Sequence, residues 1–577
     1  MNYRWSIAPP QPLLAEQLAT TLSLSPLLAQ CLLNRGLSEP AQIFAFLAPR
    51  LAQLADPFLL PNMDAAVARL LRAREQHERL VIFGDYDVDG VTSTALLLEV
   101  LRRFGLTADY YLPHRLDEGY GLSQDGVEHC LKKFPVSLLL AVDCGSTAVA
   151  SIAWLRERGV DVIVLDHHQC SDPRPAAVAL VNPQLSVGTG APASEPNFTE
   201  LCSVGLAFKL AHALVKRGRE LGLPETADFD LRPLLDLVAL GTIADIVPLN
   251  GENRILVTAG LERLNATRRP GLLALKQVAQ CPAVIGTYEV GFQLGPRLNA
   301  SGRLETAEEA LCLLLAPTLD EALALAHNLD ARNRQRQQIE RTMADEVIGA
   351  VRARFKPETD FVIVEGQLLW HIGVVGIVAS RVLQQFNRPT IIIGGDGPHW
   401  RGSGRSIEGF DLAAALRQCD DLLVRHGGHA MAAGVTLLPE NLDALRERLN
   451  QLARQSLPPE YLQPRLRLDA EVTLAEITLA RMAELDRLRP CGPTNPGIHL
   501  LARGVTHRKP LQRIGREKQH VKMWLDAGPD AVEAVWWMAG ESALPVGRFD
   551  LAFAPQINVF NGRRNVQLKI LDWRPAA

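Results

Sequence analysis

One ten-residue stretch, Val81-Ile-Phe-Gly-Asp-Tyr-Asp-Val-Asp-Gly90, constrains the fold more than any other part of this chain. Its apolar start predicts a short buried strand, and the spacing of apolar residues over 91–101 predicts a helix directly afterwards. Three carboxylates therefore stand between a strand and a helix, where open α/β sheets bind their ligands. Because crowded carboxylates repel one another, the pattern predicts a Mg²⁺ or Mn²⁺ site. A solvated acidic turn and a calcium loop are the alternatives.

Length and composition limit the class of protein. At 577 residues the chain is too long for one core, and 47% hydrophobic residues can fill several. The net charge of −4 does not by itself indicate a nucleic-acid-binding protein. Nine cysteines without paired CxxC spacing exclude a disulfide framework and a zinc ribbon. They fit a reducing compartment, and we expect a cytoplasmic protein without signal peptide or membrane span.

Further apolar runs also end in residues that can bind metals. The run 136–142 precedes Asp143, and the run 160–165 precedes Asp166-His167-His168. In extended backbone the two histidines would point in opposite directions, so one is predicted to bind a metal and the other to face a substrate. Asp245 lies in an apolar setting, where a lone carboxylate is costly unless it is paired or bound to a metal. We expect it to be another ligand.

A loop after the predicted strand 108–113 holds Arg115 and Tyr120. An arginine and a tyrosine on one loop can bind a phosphate and stack on a base. An ordinary surface loop explains the same residues equally well.

The second half of the chain separates into three segments. Few helix breakers occur over 319–354, which predicts a long connecting helix whose many arginines are mostly solvated. Strands at 361–365 and 390–394 are predicted around a helix, followed by glycine-rich loops at 402–406 and 427–434. Beyond Pro458-Pro459, short strand-like runs with basic and aromatic residues favour an OB-fold that grips single strands. A protein-binding β-domain would have a similar composition.

Taken in order, these motifs resemble those of the DHH phosphoesterase superfamily: Asp85-Tyr-Asp-Val-Asp-Gly, Val142-Asp-Cys-Gly, Asp166-His-His and Gly241-Thr-Ile-Ala-Asp. Trp370–Arg381 and the two glycine-rich stretches are similar to the DHH-associated domain. With its C-terminal segment, the chain resembles the single-stranded-DNA-specific 5′→3′ exonucleases of that superfamily. The resemblance implies an α/β fold with these parts: an N-terminal helical segment (1–50), a parallel-sheet DHH domain (51–318), a connector helix (319–355), a smaller α/β DHH-associated domain (356–457) and an OB-like domain (458–577).

The same resemblance implies a two-metal site. Its ligands would be Asp85, Asp87, Asp143, His167 and Asp245, with Asp143 as the bridge. Val81 stands where the superfamily often has a histidine, so Asp89 or water would complete the first ligand set. The residues expected to act in catalysis are His168, which would contact substrate, together with Asp143 and Asp89.

Nucleic-acid contacts are implied at two further motifs. Arg297 and Arg303 in the motif Gly295–Arg303 could hold DNA phosphates, although ion pairs at a domain interface would use the same residues. In the DHH-associated domain, Ser403, Arg405 and His429 are implied to bind the terminal nucleotide. A glycine-rich turn without a ligand is the alternative there.

The implied activity is hydrolysis of single-stranded DNA from its 5′ end to nucleoside 5′-monophosphates, in DNA recombination and repair. Two Mn²⁺ or Mg²⁺ ions would activate the water. A monomer is implied, with single-stranded-DNA-binding protein and a RecQ-type helicase as partners. Two alternatives remain: a DHH phosphodiesterase acting on short RNA or small nucleotides, and a non-catalytic relative that only binds single-stranded DNA.

Overall fold

The computed structural model describes residues 3–114, 117–119, 121–186, 198–395, 397–540 and 542–576. The chain divides into two compact units. The larger unit is Pro49–Leu457, and the smaller unit joins Met1–Ala48 to Pro458–Ala577. The helices of the N-terminal segment, which was treated as a separate part on the basis of its sequence, share a core with the C-terminal strands. Among the described residues, no helix is both long and apolar enough to cross a membrane.

The strands of the described residues are, in chain order, β1 (Arg4–Ile7), β2 (Leu80–Phe83), β3 (Ala108–Tyr111), β4 (Leu138–Val142), β5 (Asp161–Leu165), β6 (Ala179–Val181), β7 (Ile363–Leu368), β8 (Thr390–Gly395), β9 (Trp400–Arg405), β10 (Arg425–His429), β11 (Ala432–Leu437), β12 (Arg465–Leu468), β13 (Ala470–Glu471), β14 (Leu500–Val505), β15 (His507–Ile514), β16 (His520–Ala527), β17 (Asp530–Trp536), β18 (Phe549–Phe560) and β19 (Arg563–Pro575).

The α-helices of the same residues are α1 (Pro12–Leu22), α2 (Pro26–Leu33), α3 (Pro40–Leu47), α4 (Met63–Glu75), α5 (Val88–Arg103), α6 (Gln124–Lys133), α7 (Val149–Glu157), α8 (Ser203–Glu220), α9 (Pro224–Ala227), α10 (Leu235–Ala244), α11 (Gly251–Asn265), α12 (Pro270–Val278), α13 (Thr287–Glu289), α14 (Gly295–Leu304), α15 (Glu308–Leu315), α16 (Leu319–Arg354), α17 (Val375–Phe386), α18 (Leu412–Arg417), α19 (Leu442–Ser456) and α20 (Leu479–Leu485).

The larger unit begins with a parallel five-stranded sheet in the order β3-β2-β4-β5-β6. Strands β2 and β4 are buried along their whole length, as expected for parallel strands covered on both faces. The chain passes from β2 to β3 on one side of β2 and then crosses to β4 on the other side. In open α/β sheets, ligands bind at the carboxyl ends of the strands where the order reverses in this way, here β2 and β4. The four strands predicted here are confirmed. The three-residue strand β6 was missed because its length gives no readable periodicity.

The second sheet of the larger unit has the order β10-β11-β9-β8-β7. The glycine-rich stretches predicted as loops are in fact β9, β10 and β11, paired antiparallel. The two glycines of β9 are required by close packing: a Cβ on Gly402 would lie 2.6 Å from Ile393 Cγ1, and one on Gly404 would lie 2.5 Å from Leu412 Cδ2. Glycine in a sequence indicates a turn more often than a crowded strand, which explains the error.

The long connector helix α16 has the bounds that the sequence predicted. Thr318 caps its first turn by accepting a hydrogen bond from Glu321 N. Near its centre, the buried Glu340 carboxylate pairs with Arg336 on the same helix and with Arg381 on α17. These charged hydrogen bonds attach the connector to the second sheet and its helix.

In the smaller unit, a seven-stranded sheet has the order β13-β14-β18-β19-β17-β16-β15, and β1 pairs with β12. The strand-like runs predicted at 465–470, 498–503, 520–525, 534–538 and 566–570 contain strands, while β15 and β18 were not predicted. Leu28 and Leu32 of α2 and Ile43 of α3 are buried in one core cluster with Leu551 and Phe553 of β18.

Candidate active site

The acidic loop lies at the carboxyl end of β2. Asp87 caps helix α5, since its Oδ1 accepts hydrogen bonds from Asp89 N at 2.9 Å and Gly90 N at 3.1 Å. Gly90 packs beneath the loop so closely that a Cβ there would lie 2.5 Å from Asp85 O. This turn brings a carboxylate oxygen of Asp85 and one of Asp87 within 4.8 Å of each other and of an oxygen of Asp143.

Asp143 follows β4 and is buried. Its φ of 64° lies in the left-handed region that non-glycine residues rarely adopt, and its N–H donates to Leu165 O at 3.1 Å. Ser203, the first residue of α8, donates its Oγ hydrogen to Asp143 Oδ1 at 2.9 Å. A strained backbone and an oriented carboxylate are features that concentrate at functional sites.

The two adjacent histidines lie side by side, and the prediction that they point in opposite directions is wrong. Their ring centroids are 4.3 Å apart. Strand β5 ends at Leu165, and the buried Asp166 then folds the backbone because its Oδ1 accepts from both His167 N and His168 N. The same oxygen is 2.7 Å from His168 Nδ1, which orients that ring. Asp143, His167 and His168 each offer a ligand atom within one cluster.

His167 Nε2 faces three carboxylates. It is 3.5 Å from Asp143 Oδ1, 3.6 Å from Asp245 Oδ2 and 3.9 Å from Asp89 Oδ2. Burial lowers the pKa of His167 to about 4, so its ring is neutral at pH 7. Within the described part of the chain, neither His167 Nε2 nor Asp245 Oδ2 has a hydrogen-bond partner, although both are buried. A neutral nitrogen and carboxylate oxygens converging in this way fit the ligand set of a divalent cation.

Electrostatics support the same interpretation. Burial raises the pKa of Asp89 to about 6 and that of Asp245 to about 9, and neighbouring carboxylates add to both shifts. Burial also raises the pKa of Asp143 well above its usual range, and repulsion from Asp89 is the next largest cause. Each shift records the cost of holding buried negative charges together, which a bound cation would offset.

Asp89, predicted to be catalytic, is held differently from the other acids. Its two oxygens accept from Ser203 N at 2.7 Å and Val204 N at 2.8 Å, at the positive end of α8. This geometry suits a residue that anchors α8, and with it Ser203, beside Asp143. Val81 packs in an apolar cluster with Phe83 and Leu139, so it supplies no ligand.

Comparison with known proteins gives three family matches: the DHH family N-terminal domain over residues 79–242, the DHHA1 domain over 359–455 and the RecJ OB domain over 468–572. The single-stranded-DNA-specific exonuclease RecJ of Bacillus subtilis is 38% identical over 575 residues, covering 99% of this chain and 70% of that protein. The chain belongs to the RecJ family. The parallel-sheet DHH domain, the DHH-associated domain and the OB domain predicted from the sequence are thereby confirmed.

Two solved RecJ structures contain manganese. RecJ from Thermus thermophilus in complex with Mn²⁺ has a TM-score of 0.84 at 31% identity, covering all of this chain and 80% of that one. A structure of exonuclease RecJ bound to manganese has a TM-score of 0.59 at 37% identity, covering 71% of this chain and 97% of that one. The Thermus protein is also known with Mg²⁺. The prediction that the metal is Mn²⁺ or Mg²⁺ therefore agrees with the metals found in RecJ relatives.

Four of the predicted nucleic-acid residues of this RecJ-family chain lie outside the second sheet. Arg297 Nε donates to Asp330 Oδ1 at 2.9 Å, which favours the alternative of an interface ion pair. Arg303 Nη1 donates to Gly373 O at 3.3 Å, where α14 meets the loop before α17. Arg115 and Tyr120 lie outside the described residues.

Ser403, Arg405 and His429 share one face of the second sheet. Arg405 and His429 are both register partners of Ala432, one from each side, and Ser403 lies two residues before Arg405. Gly434 stands opposite both Ser403 and Gly427, and a Cβ on either glycine would meet only open space. The face is therefore open around Gly427 and Gly434, while Gly376 of α17 lies close to Ser403 and Arg405 on it.

Sequence reasoning missed several residues of this RecJ site. Ser203 and Asp166 hold Asp143 and His168, and Asn299 Oδ1 accepts from Val88 N at 3.1 Å. Cys202 lies with Asp89 and Asp245 in a third group of possible ligands. Asp166 and Asn299 belong to motifs that were recognised, but Ser203 lies outside every motif identified in the sequence.

Proposed function

We propose that this chain is a metal-dependent exonuclease that hydrolyses single-stranded DNA from the 5′ end to nucleoside 5′-monophosphates. The observation that carries the proposal is the convergence of Asp85, Asp87, Asp143, His167 and Asp245, two of which have buried ligand atoms without hydrogen bonds among the described residues. Membership of the RecJ family supports the choice of substrate.

The ligand clusters indicate how the chain would arrange its metals. Asp143 is common to the group with Asp85 and Asp87 and the group with His167 and His168, which supports its role as the bridge between two ions. When bound, two divalent ions activate a water and stabilise the attacking and leaving oxygens. Ser203 holds the Asp143 carboxylate in place, and Asp166 holds His168 where its ring can donate to a phosphate oxygen.

The open face of the second sheet would bind the terminal nucleotide. Arg405 supplies a permanent positive charge for a 5′ phosphate, and His429 and Ser403 supply further donors. In this proposal, digestion starts at the 5′ end because the 5′ phosphate is held at a fixed distance from the acidic loop. We extend the proposal to Arg115, Tyr120 and Arg303 as contacts to the strand behind that nucleotide.

We also propose the cellular setting that the family implies. The protein would act as a cytoplasmic monomer in DNA recombination and repair, with single-stranded-DNA-binding protein and a RecQ-type helicase as partners. Nine unpaired cysteines, five of them buried, support a reducing compartment.

The test is digestion of 5′-labelled and 3′-labelled single-stranded DNA, matched duplex and matched RNA, with Mn²⁺, Mg²⁺ or EDTA. We expect metal-dependent release of mononucleotides from the 5′ end of single-stranded DNA alone. Asp143→Ala should lower the rate by at least about a thousandfold, since it removes the proposed bridge between the ions. Leu221→Ala, at an exposed site beyond the end of α8, serves as the control and should leave the rate unchanged.

Two other outcomes would indicate a different function. Preference for short RNA would indicate a nucleotide-recycling phosphodiesterase. Binding of DNA without cleavage, unchanged by Asp143→Ala, would indicate a non-catalytic relative.

A further inference from the structure

An exposed pair of aromatic side chains in the larger unit has no part in the site described so far. Tyr288 and Phe292 are 62% and 71% exposed, and their ring centroids are 5.0 Å apart at an interplanar angle of 31°. They are four residues apart on one helical stretch, so both rings lie on the same side of it. Large apolar groups that cluster on a surface mark binding sites more often than single ones do.

The helix that carries the pair contains an irregular turn. Helix α13 continues through the π-helical segment Val290–Leu294 into α14, and Gly295 N donates to Val290 O, five residues back. Pro296 explains the irregularity, because it has no N–H and its ring would clash with the carbonyl of Phe292 in a regular helix. Such π segments occur frequently at functional sites.

This helix runs along the candidate active site. At its far end, a Cβ on Gly302 would lie 2.7 Å from Tyr86 O, and Asn299 accepts a hydrogen bond from Val88 N, so α14 packs against the acidic loop. At its near end, a Cβ on Gly295 would lie 3.6 Å from the Cβ of Ala244, the residue before Asp245. Phe292 lies about one helical turn before Gly295, so the aromatic pair is close to the segment that carries Asp245.

Ile246 adds a third exposed apolar side chain to this region. It follows Asp245, is 70% exposed and has a φ of 62°, a conformation that β-branched residues rarely adopt. Its N–H donates to Ile243 O at 3.3 Å at the end of α10. An apolar side chain held outward at an energetic cost, directly beside a candidate ligand, is a feature expected of a binding surface.

We propose that Tyr288 and Phe292 form a stacking platform for the nucleobases of the single strand whose end lies at the acidic loop. This inference rests on the proposed function and identifies two residues that would select single-stranded over paired DNA. Phe292 and Asn299 are seven residues apart, or about 10 Å along a helix, which spans roughly three stacked nucleotides. Bases are the fitting occupant because aromatic platforms bind any sequence, as an exonuclease requires, and admit only unpaired bases.

The test measures base stacking directly, in EDTA, so that no digestion occurs. A short single strand carries the fluorescent base 2-aminopurine at one position at a time, counted from its 5′ end. We expect the full-length protein to quench the fluorescence most strongly at one or two adjacent positions. Tyr288→Ala/Phe292→Ala should abolish that quenching and raise the Kd for the strand about 5- to 100-fold.

Two variants keep the outcome interpretable. The ring exchange Tyr288→Phe/Phe292→Tyr retains both aromatic faces and should behave as the parent protein does. Leu221→Ala removes a comparably exposed apolar side chain of the same unit and should also leave Kd and quenching unchanged. Circular dichroism of each variant confirms that the fold is retained.

The inference is overturned if no position is quenched in the parent protein, or if the double alanine variant retains the parent Kd and quenching. It is also overturned if the ring exchange loses binding as fully as the alanine variant does. Failure of the proposed function would look different: the parent protein would not release nucleotides with Mn²⁺, whatever the stacking experiment shows.

Discussion

At the scale of single residues, the site depends on side chains that orient the ligands as much as on the ligands themselves. Ser203 donates to Asp143, Asp166 positions His168, and Asp89 accepts from the first two backbone N–H groups of α8. Each partner is buried, so its loss would leave a polar group unsatisfied. The ligands could then no longer hold the geometry that a divalent ion requires.

Ser203→Ala tests this directly. Without the Oγ donor, the Asp143 carboxylate loses its orientation, and we expect the affinity for Mn²⁺ to fall about 10- to 100-fold. A Mn²⁺ titration monitored by electron paramagnetic resonance measures this affinity. Ser93→Ala is the matched control, because Ser93 is a buried serine whose hydroxyl has no partner among the described residues. Equal Mn²⁺ affinity in both variants would refute the orienting role of Ser203.

The pH dependence of stability follows from the raised acid pKa values. Asp89 and Asp245 have pKa values of about 6 and about 9 in the fold, against 3.8 ordinarily, so the folded protein retains protons that the unfolded chain has lost. The metal-free protein should therefore lose stability as pH rises from about 4 to about 9.

Mn²⁺ should reverse that trend, because it replaces the retained protons. We expect the Tm in EDTA to fall between pH 6 and pH 8, and the increase in Tm on adding Mn²⁺ to be larger at pH 8. Differential scanning calorimetry at both pH values measures this. An increase that is larger at pH 6 would contradict the assignment of these acids to a cation site.

At the scale of elements, the acidic loop and helix α5 form one unit that depends on close backbone contact. Gly84 and Gly90 lie on either side of Asp85. A Cβ on Gly84 would approach Thr94 Oγ1 to 2.3 Å, and one on Gly90 would approach Asp85 O to 2.5 Å. The α5 backbone can approach the loop because no side chain separates them.

Gly90→Ala should therefore displace the acidic loop, although alanine favours helices. We expect a loss of about 1–3 kcal/mol in the free energy of unfolding, as for overpacking, together with weaker Mn²⁺ binding. Urea denaturation with and without Mn²⁺ measures both. Gly349→Ala, at an exposed position of α16 with open space around it, should instead stabilise by up to about 1 kcal/mol. If both variants gain stability, the packing argument is wrong.

At the scale of the whole molecule, the chain folds into two units of which the smaller is built from both ends of the sequence. The apolar residues of α2 and α3 lie in one core cluster with strand residues more than 450 positions later in the chain, among them Leu551 and Phe553 of β18. The N-terminal segment therefore completes the core of the C-terminal domain.

Two truncations test this pairing. Removing 458–577 alone should expose Leu28, Leu32 and Ile43, and the product should aggregate. Removing both 1–48 and 458–577 should leave a soluble larger unit that still binds Mn²⁺. Size-exclusion chromatography compares the two. If the first truncation stays monomeric, the N-terminal helices do not depend on the C-terminal core.

The local sequence pattern was sufficient to predict much of the fold and of the candidate site. The strands β2–β5 and helix α16 were predictable because a buried strand or a long helix has a periodicity that does not depend on its neighbours. The acids at the strand ends were predictable as a cluster because parallel strands bring their carboxyl ends to one edge.

Other features were decided only by tertiary structure. The glycine-rich stretches form paired strands, and in β9 neighbouring side chains occupy the space that a Cβ would need. The two histidines turned to the same side because Asp166 binds both of their backbone N–H groups. Ser203 reached Asp143, and the chain ends shared one core, through contacts between distant residues. The sequence alone determined which residues could form a site, while packing determined which of them meet, because periodicity reports on near neighbours and contacts at long separation leave no local pattern.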